Sequence, residues 1–312
     1  MLRKILLASI AGVALFSAQF LFQSNNFLGP MISSVVESEE DFVPSYPDWD
    51  PRSSSVAGVS ASRLLLSAKA VLSYDLSADS VIYEKNSSER LPMASLTKVM
   101  TAILALEEGI DKEYTVSHRA AHIGENAMGL SEGEVLTLGE LLYGLLLPSG
   151  NDAAEVIAEG SKYGRAGFVK KMNERAKQMG LTDTNFTNPS GLQGDGDQYT
   201  TTFDLLKLTK IAMNNPDFRR IVGTYEIDIA ASKNHKSYHL LNDTNLLTSY
   251  PGVKGVKTGF TWEAGMCLIT FLEHKDKTII AVILNSEDRR QEMKDLLDYS
   301  LRSLEETPPL HE

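Results

Sequence analysis

Strand-forming sequence lies at the two ends of the chain, and that placement constrains the fold most. Ala68–Tyr74 and Ser80–Tyr83 are β-rich and flank the turn-like Asp75-Leu-Ser-Ala-Asp79, which predicts an opening hairpin. Cys267–Leu272 and Thr278–Leu284 are two further β-rich runs, joined by a charged turn. A lone hairpin is marginal in water, so the two pairs must join. The expectation is an α+β fold with one sheet assembled from distant pieces and covered by the helices between them.

Those helices are expected at 95–108, 152–163, 166–179 and 202–213. Thr137-Leu-Gly-Glu140 has capping-box spacing and leads into the apolar Leu141–Leu147. A closing helix over 287–304 carries Met293, Leu296, Leu297, Leu301 and Leu304 on one stripe, read as core packing.

Upstream of the fold, Arg3 and Lys4 precede an apolar stretch, so residues 1–26 read as a signal peptide or an N-terminal membrane anchor. Positive residues stay inside, which puts the remainder outside the cytoplasm. Residues 27–62 combine serine, Glu37-Ser-Glu-Glu-Asp41 and Pro44, Pro47 and Pro51, the composition of a disordered linker. Phe42, Tyr46 and Trp49 read as linker aromatics rather than docked ones. The folded domain is expected over 63–306, and 307–312 form a short tail with no room for a second domain.

Composition excludes several function classes. The formal charge of −11 argues against nucleic acid as a partner. The single cysteine, Cys267, lies in an apolar run and reads as a small buried hydrophobe. His118 and His122 have zinc-helix spacing, but no glutamate follows the first and no third ligand is evident, so no metal or other cofactor is assigned. Gly129-Leu-Ser-Glu-Gly133 matches a nucleophile elbow by letter but lacks the preceding strand and the adjoining helix.

Three short strings carry the chemistry. Ser95 and Lys98 are i and i+3, so on a helix the hydroxyl and the amine share a face. Val99, Met100, Ile103 and Leu104 make that helix a buried one, and a buried lysine needs work or a partner. Desolvation and a second cation would lower its pKa towards that of a usable base. Ser149-Gly-Asn151 follows the apolar 141–147 helix and would place a hydroxyl and an amide on a rigid loop, with Asp152 a candidate cap for the next helix. Lys257-Thr-Gly259 follows Gly252 and Gly255, and a glycine at 259 would let a peptide approach the backbone closely. Each string is also ordinary by itself: a cap, a helix-to-helix turn, a strand end.

In this order the set S-x-x-K, Ser/Asn and K-T-G is that of penicillin-binding proteins and class A β-lactamases. Longer phrases extend the likeness: Tyr83-Glu-Lys-Asn86, Ala94-Ser-Leu-Thr-Lys-Val-Met-Thr-Ala102, Leu141–Asp152, Asn188-Pro-Ser-Gly-Leu192, Asn245-Leu-Leu247 and Gly255-Val-Lys-Thr-Gly-Phe-Thr261. Over roughly 64–300 the chain resembles low-molecular-mass penicillin-binding proteins of the serine-type D-alanyl-D-alanine carboxypeptidase family.

The resemblance implies a transpeptidase/β-lactamase-like fold, a mainly antiparallel sheet flanked by helices plus a largely helical lobe. It implies removal of the terminal D-alanine from peptidoglycan stem peptides ending in D-Ala-D-Ala, with β-lactams as covalent inhibitors. By position, Ser95 would be the nucleophile, Lys98 its base and Ser149 a proton relay. Asn151, Lys257, Thr258 and Gly259 would hold substrate, the two residues of the K-T pair its carboxylate, and the backbone N–H groups of Ser95 and Phe260 would form the oxyanion hole. Many relatives carry histidine where Ser190 stands, which leaves that position without a role. Relatives with a C-terminal β-domain and amphipathic anchor carry both after the catalytic domain, so here the membrane contact would fall to the N-terminal segment.

A D,D-endopeptidase would use the same residues. A class A β-lactamase is disfavoured because 188–202 offers Asp195 and Asp197 but no glutamate. A weakly active peptidoglycan- or β-lactam-binding scaffold or sensor is disfavoured by the intact Ser95, Lys98, Ser149 and Lys257.

Overall fold

The opening hairpin forms as expected from β1 (Ala70–Asp75) and β2 (Ser80–Lys85). The computed structural model describes residues 49–51 and 64–311, all within the unit Ser45–Glu312. The expected leader or anchor, and most of the expected linker, lie outside the described residues. A short 3-10 helix, Ala94–Thr97, runs into α1 (Lys98–Leu106). The helical lobe follows with β3 (Glu113–Thr115), α2 (His118–Ala121), β4 (Val135–Thr137), α3 (Leu138–Leu146), α4 (Asn151–Gly160) and α5 (Gly164–Gln178). The chain continues through α6 (Thr202–Met213), α7 (Pro216–Val222), the small hairpin β5 (Glu226–Ile229) and β6 (Tyr238–Leu241), and α8 (Leu246–Ser249). It ends in β7 (Val253–Thr261), β8 (Gly265–His274), β9 (Lys277–Ser286) and α9 (Arg289–Ser303).

The main sheet is antiparallel in the order β2-β1-β9-β8-β7, and the distant ends meet where Ala70 pairs with Leu284 and Asp75 with Ile279. Side chains alternate between two apolar layers, as the two-residue strand period requires. Leu72, Ile269, Ile280 and Val282 face the core shared with α1, α3, α4 and α6. Val71, Leu268, Ile279 and Ile283 face Met293, Leu296, Leu297 and Leu301 of α9, the stripe expected of the closing helix. Coverage on both faces explains why these strands read as continuous apolar runs. Each fully buried leucine or isoleucine contributes about 1.5–3 kcal/mol.

Thr137 and Glu140 form the expected capping box: Thr137 N–H donates to Glu140 Oε2 at 2.8 Å, and Glu140 N–H to Thr137 Oγ1 at 3.3 Å. Other expectations need correction. Residues 95–97 are not α-helical but part of a 3-10 turn, which the chain enters through Ala94 at φ +49°. Trp49 is docked, not a free linker aromatic. Its Nε1–H donates to Asp79 Oδ1 at 2.9 Å, its ring meets Tyr74 edge-on at 5.7 Å, and Lys210 Nζ sits 3.7 Å over its face. The tail is partly held too, with His311 stacked on Tyr250 at 4.7 Å. Among the described residues, no helix is long and apolar enough to cross a membrane.

Candidate active site

Three pieces of chain converge at one end of α1. The first is the 3-10 turn. Three residues per turn eclipse positions i and i+3, so Ser95 and Lys98 stand directly over one another on one side of the turn. Lys98 Nζ lies 2.8 Å from Ser95 Oγ. It also donates to Asn151 Oδ1 and to the Ser190 carbonyl, both at 2.7 Å, so the fully buried Lys98 amine has three oxygen partners. Burial pushes Lys98 well below the ordinary lysine range, and the charge of Lys257 pushes the same way; Asp152, Glu125 and Asp243 oppose it.

The Ser190 carbonyl is aimed by its own loop. Asn188 Oδ1 accepts from Ser190 N–H at 3.2 Å and Gly191 N–H at 2.7 Å, an Asx turn. Thr101 Oγ1, one turn along α1, donates to the Pro189 carbonyl at 2.7 Å. Ser190 Oγ stays within the loop, 3.3 Å from Asn188 Oδ1. Position 190 therefore holds Lys98 through its main chain, a role the side chain's identity does not reveal.

The second piece is the turn between α3 and α4. Ser149 adopts φ +65°, a left-handed conformation that a non-glycine residue takes at a cost. Its Oγ is buried and makes no hydrogen bond. Asn151 is fixed by its N–H to Asn126 O at 2.8 Å and its Nδ2 to Gly124 O at 3.1 Å. Asp152 does not cap α4 as expected, because Gly150 is the N-cap residue and no side chain caps the helix. The Asp152 carboxylate instead reaches back and accepts from the N–H groups of Met128, Gly129 and Leu130 at 2.8–3.0 Å.

The third piece is β7, which contains Lys257-Thr-Gly259 rather than ending before it; Lys257 pairs with Ile269 and Gly259 with Cys267 of β8. Gly259 serves the nucleophile turn and not, as expected, only an incoming peptide. A Cβ there would lie 3.1 Å from Met93 O and 3.3 Å from Ser95 N, so the turn packs directly on the strand. Lys257 is buried with its Nζ 3.5 Å from Thr258 Oγ1, and burial pushes it down to about 8, opposed by Asp243 and assisted by Arg289. Arg289, at the start of α9, donates to Gly259 O at 2.7 Å.

These pieces enclose a cleft of about 340 Å³, whose walls include Ser95, Ser149, Asn151, Thr258, Gly259 and Phe260. Ser95, Ser149, Asn151, Thr258, Gly259 and Phe260 line it, whereas Lys98 and Lys257 do not reach its wall and lie buried beside Asn151 and Thr258. Sequence reasoning missed Asp243 and Arg289, which also line it. Asp243 lies just ahead of the Asn245-Leu-Leu247 phrase and Arg289 just after a strand, but no spacing rule ties either to Lys257. In and behind the cleft stand the Ser95 hydroxyl, a buried amine with a lowered pKa in contact with it, the Ser149 hydroxyl without a hydrogen bond, and the cationic side chains of Lys257 and Arg289. That set suits acyl transfer on a substrate with a terminal carboxylate.

The rejected alternatives lie elsewhere. Burial pushes the Cys267 thiol up to about 11, which rules it out as a thiolate nucleophile at neutral pH. The rings of His118 and His122 stack on each other at 4.2 Å. Gly129–Gly133 is loop and turn.

Residues 57–288 match the D-alanyl-D-alanine carboxypeptidase family of peptidases. The D-alanyl-D-alanine carboxypeptidase DacF of Bacillus subtilis is 37% identical over 264 residues, which cover 81% of this chain and 67% of that protein. The D-alanyl-D-alanine carboxypeptidase of a Streptomyces species is 34% identical over 224 residues, 66% of this chain and 76% of its own. Among solved structures, the Streptomyces K15 DD-transpeptidase superposes with a TM-score of 0.73 at 29% identity, covering 78% of this chain and 100% of its own. Penicillin-binding protein D2 of Listeria monocytogenes, solved in an ampicillin-bound form, gives 0.68 at 29% identity, covering 77% and 99%. With its antiparallel sheet, helical lobe and three converging motifs, the chain belongs to the D-alanyl-D-alanine carboxypeptidase family of serine peptidases.

Proposed function

We propose that the protein removes the terminal D-alanine from peptidoglycan stem peptides through a Ser95 acyl-enzyme. The observation that carries this reading is the 2.8 Å contact between Lys98 Nζ and Ser95 Oγ, in a setting that favours the neutral amine. In acylation Ser95 Oγ bonds to the penultimate D-Ala carbonyl carbon and its proton passes to Lys98 Nζ. The C–N bond to the terminal D-alanine then breaks, and the leaving amine takes a proton through Ser149 Oγ, which is free to relay it. Water next attacks the ester; its proton returns to Lys98 and the Ser95 hydroxyl is restored.

The N–H groups of Ser95 and Phe260 form the oxyanion hole, and losing one such donor costs about two to three orders of magnitude in rate. Lys257, Thr258 and Arg289 bind the terminal carboxylate, while Asn151 orients both Lys98 and the substrate amide. Penicillin, which mimics the D-Ala-D-Ala end, acylates the same Ser95. The catalytic domain, 63–306, works outside the cytoplasmic membrane; the basic-then-apolar sequence of residues 1–26 supports export and N-terminal anchoring.

The test is D-alanine release from diacetyl-Lys-D-Ala-D-Ala by the full chain, beside Ser95→Ala. Release that vanishes in the variant is expected. Intact penicillin labelling at Ser95 without release would replace the carboxypeptidase reading with that of an endopeptidase or a sensor.

A further inference from the structure

Two of the three oxygen partners of Lys98 come from segments far apart in the chain. Asn151 opens α4, and the Ser190 carbonyl belongs to the loop after α5. A second set of polar contacts joins the same two segments. Glu155, one turn after Asn151 and 1% exposed, accepts from Arg165 Nε at 2.6 Å and from Arg165 Nη2 at 3.2 Å. Arg165 Nη2 also lies 3.5 Å from Asp195 Oδ2, and that same oxygen accepts from Asn188 Nδ2 at 3.0 Å. The circuit closes because Asn188 Oδ1 accepts from the N–H groups of Ser190 and Gly191 and so turns the Ser190 carbonyl towards Lys98.

A carboxylate only accepts hydrogen bonds, whereas a primary amide has one donating and one accepting end. Asp195, together with the Leu192 carbonyl that accepts from Asn188 Nδ2 at 2.7 Å, therefore sets which way round the Asn188 amide stands. With Nδ2 turned to these acceptors, Oδ1 is left for the two N–H groups; turned over, the amide would set Nδ2 against them. Asp195 stands between Gly194 and Gly196, both at positive φ, in a stretch with little backbone preference of its own, so its hold comes from Arg165. We propose that Asp195 is a positioning residue for acylation: held by Arg165, it orients Asn188 and through it the Ser190 carbonyl, so that the Lys98 amine points at Ser95 Oγ. The proposal rests on the part of the proposed function in which Lys98 takes the Ser95 proton.

The experiment follows acylation of Ser95 by benzylpenicillin against pH, beside the melting temperature, in the full chain, Asp195→Ala and Asp195→Asn. Asp195 is half exposed, and Arg165 keeps Glu155 without it, so both variants should melt close to wild type. Asp195→Ala removes the acceptor and should slow acylation about three- to tenfold, the effect of losing one ordinary hydrogen bond. A Ser190 carbonyl that drifts stabilises the Lys98 ammonium less, so the acid limb of the rate profile should move to lower pH. The charged groups that act on Lys98, namely Lys257, Asp152, Glu125 and Asp243, are unchanged in both variants. Asp195→Asn keeps an acceptor oxygen but not the charge, and should restore most of the rate and the wild-type limb. An unchanged rate in Asp195→Ala overturns the proposal. So does an equal loss in both variants, which would assign the effect to charge alone, or a slower rate with a lower melting temperature and an unmoved limb, which would assign it to folding. These results leave the carboxypeptidase reading standing, whereas wild type that benzylpenicillin fails to acylate at Ser95 overturns both.

Discussion

Gly191 presses against Ala94 so closely that a Cβ at 191 would fall 2.0 Å from the Ala94 carbonyl oxygen. The loop that holds Lys98 and the turn that presents Ser95 are thus one packed unit. Gly191 also adopts φ +87°, so Gly191→Ala meets both a backbone clash and a strained dihedral. We expect about 2–4 kcal/mol of destabilisation from the two effects together. Because the clash moves the Ser95 turn, penicillin acylation should slow more than tenfold even where the protein is still folded. Thermal melting and the acylation rate measure the two effects separately.

The two buried lysines predict the pH profile. Under the proposed mechanism acylation needs Lys98 neutral and Lys257 charged, so kcat/KM should rise through the lowered pKa of Lys98 and fall through that of Lys257, at about 8 in the free enzyme. The Asp243 carboxylate raises the pKa of both lysines against the lowering by burial, so Asp243→Asn should move both limbs of the bell to lower pH. Arg289→Gln should move the alkaline limb up, since Arg289 depresses Lys257. A limb that stays in place in the matching variant would refute its assignment. Stability follows the same linkage. Between about 8 and the ordinary lysine value near 10.4, the unfolded chain binds the proton that folded Lys257 lacks, so the free energy of unfolding rises with pH.

Removing the Asp152 carboxylate should loosen the Ser149 turn from outside the cleft. Asp152→Ala strands three loop N–H groups that now share its two oxygens, at about 3 kcal/mol. The expected result is a lower melting temperature and slower acylation. Asp152→Asn, which keeps one acceptor oxygen, should fall between the two.

Trp49→Ala should lower stability by about 1 kcal/mol through loss of the Tyr74 edge contact and the Lys210 cation–π contact. Since the chain has only two tryptophans, Trp262→Phe isolates Trp49. In that background its emission should be blue-shifted and should move red on unfolding; emission already at the solvent-exposed position would show the docking to be absent.

Local rules made much of this legible before any coordinates. The hairpin at 70–85, the capping box at Thr137 and the α9 stripe each follow from spacing within a few residues. Ser95 and Lys98 were readable for the same reason, since three residues bring them together in either helix type. Relations between distant segments were not readable. Arg289 reaches the cleft only because β7, β8 and β9 fold α9 back beside Lys257, and Asp243 only because the connection between β6 and α8 is tied to the end of α3 through its N–H to the Leu147 carbonyl. Asp152 looked like a cap because its sequence neighbours cannot show that the loop at 128–130 passes overhead. Trp49 sits in a proline- and serine-rich stretch, and nothing local announces the slot formed by Tyr74, Asp79 and Lys210.

The order β2-β1-β9-β8-β7 also has a consequence in time. The first hairpin made can find its permanent neighbour, β9, only after almost all of the catalytic sequence has been synthesised. Contacts of such long sequence separation slow folding, and an emerging chain carries an unpaired β1 edge until they form. The same order means that a chain cut short before Lys277 should retain neither the sheet nor the pocket, however complete its three motifs.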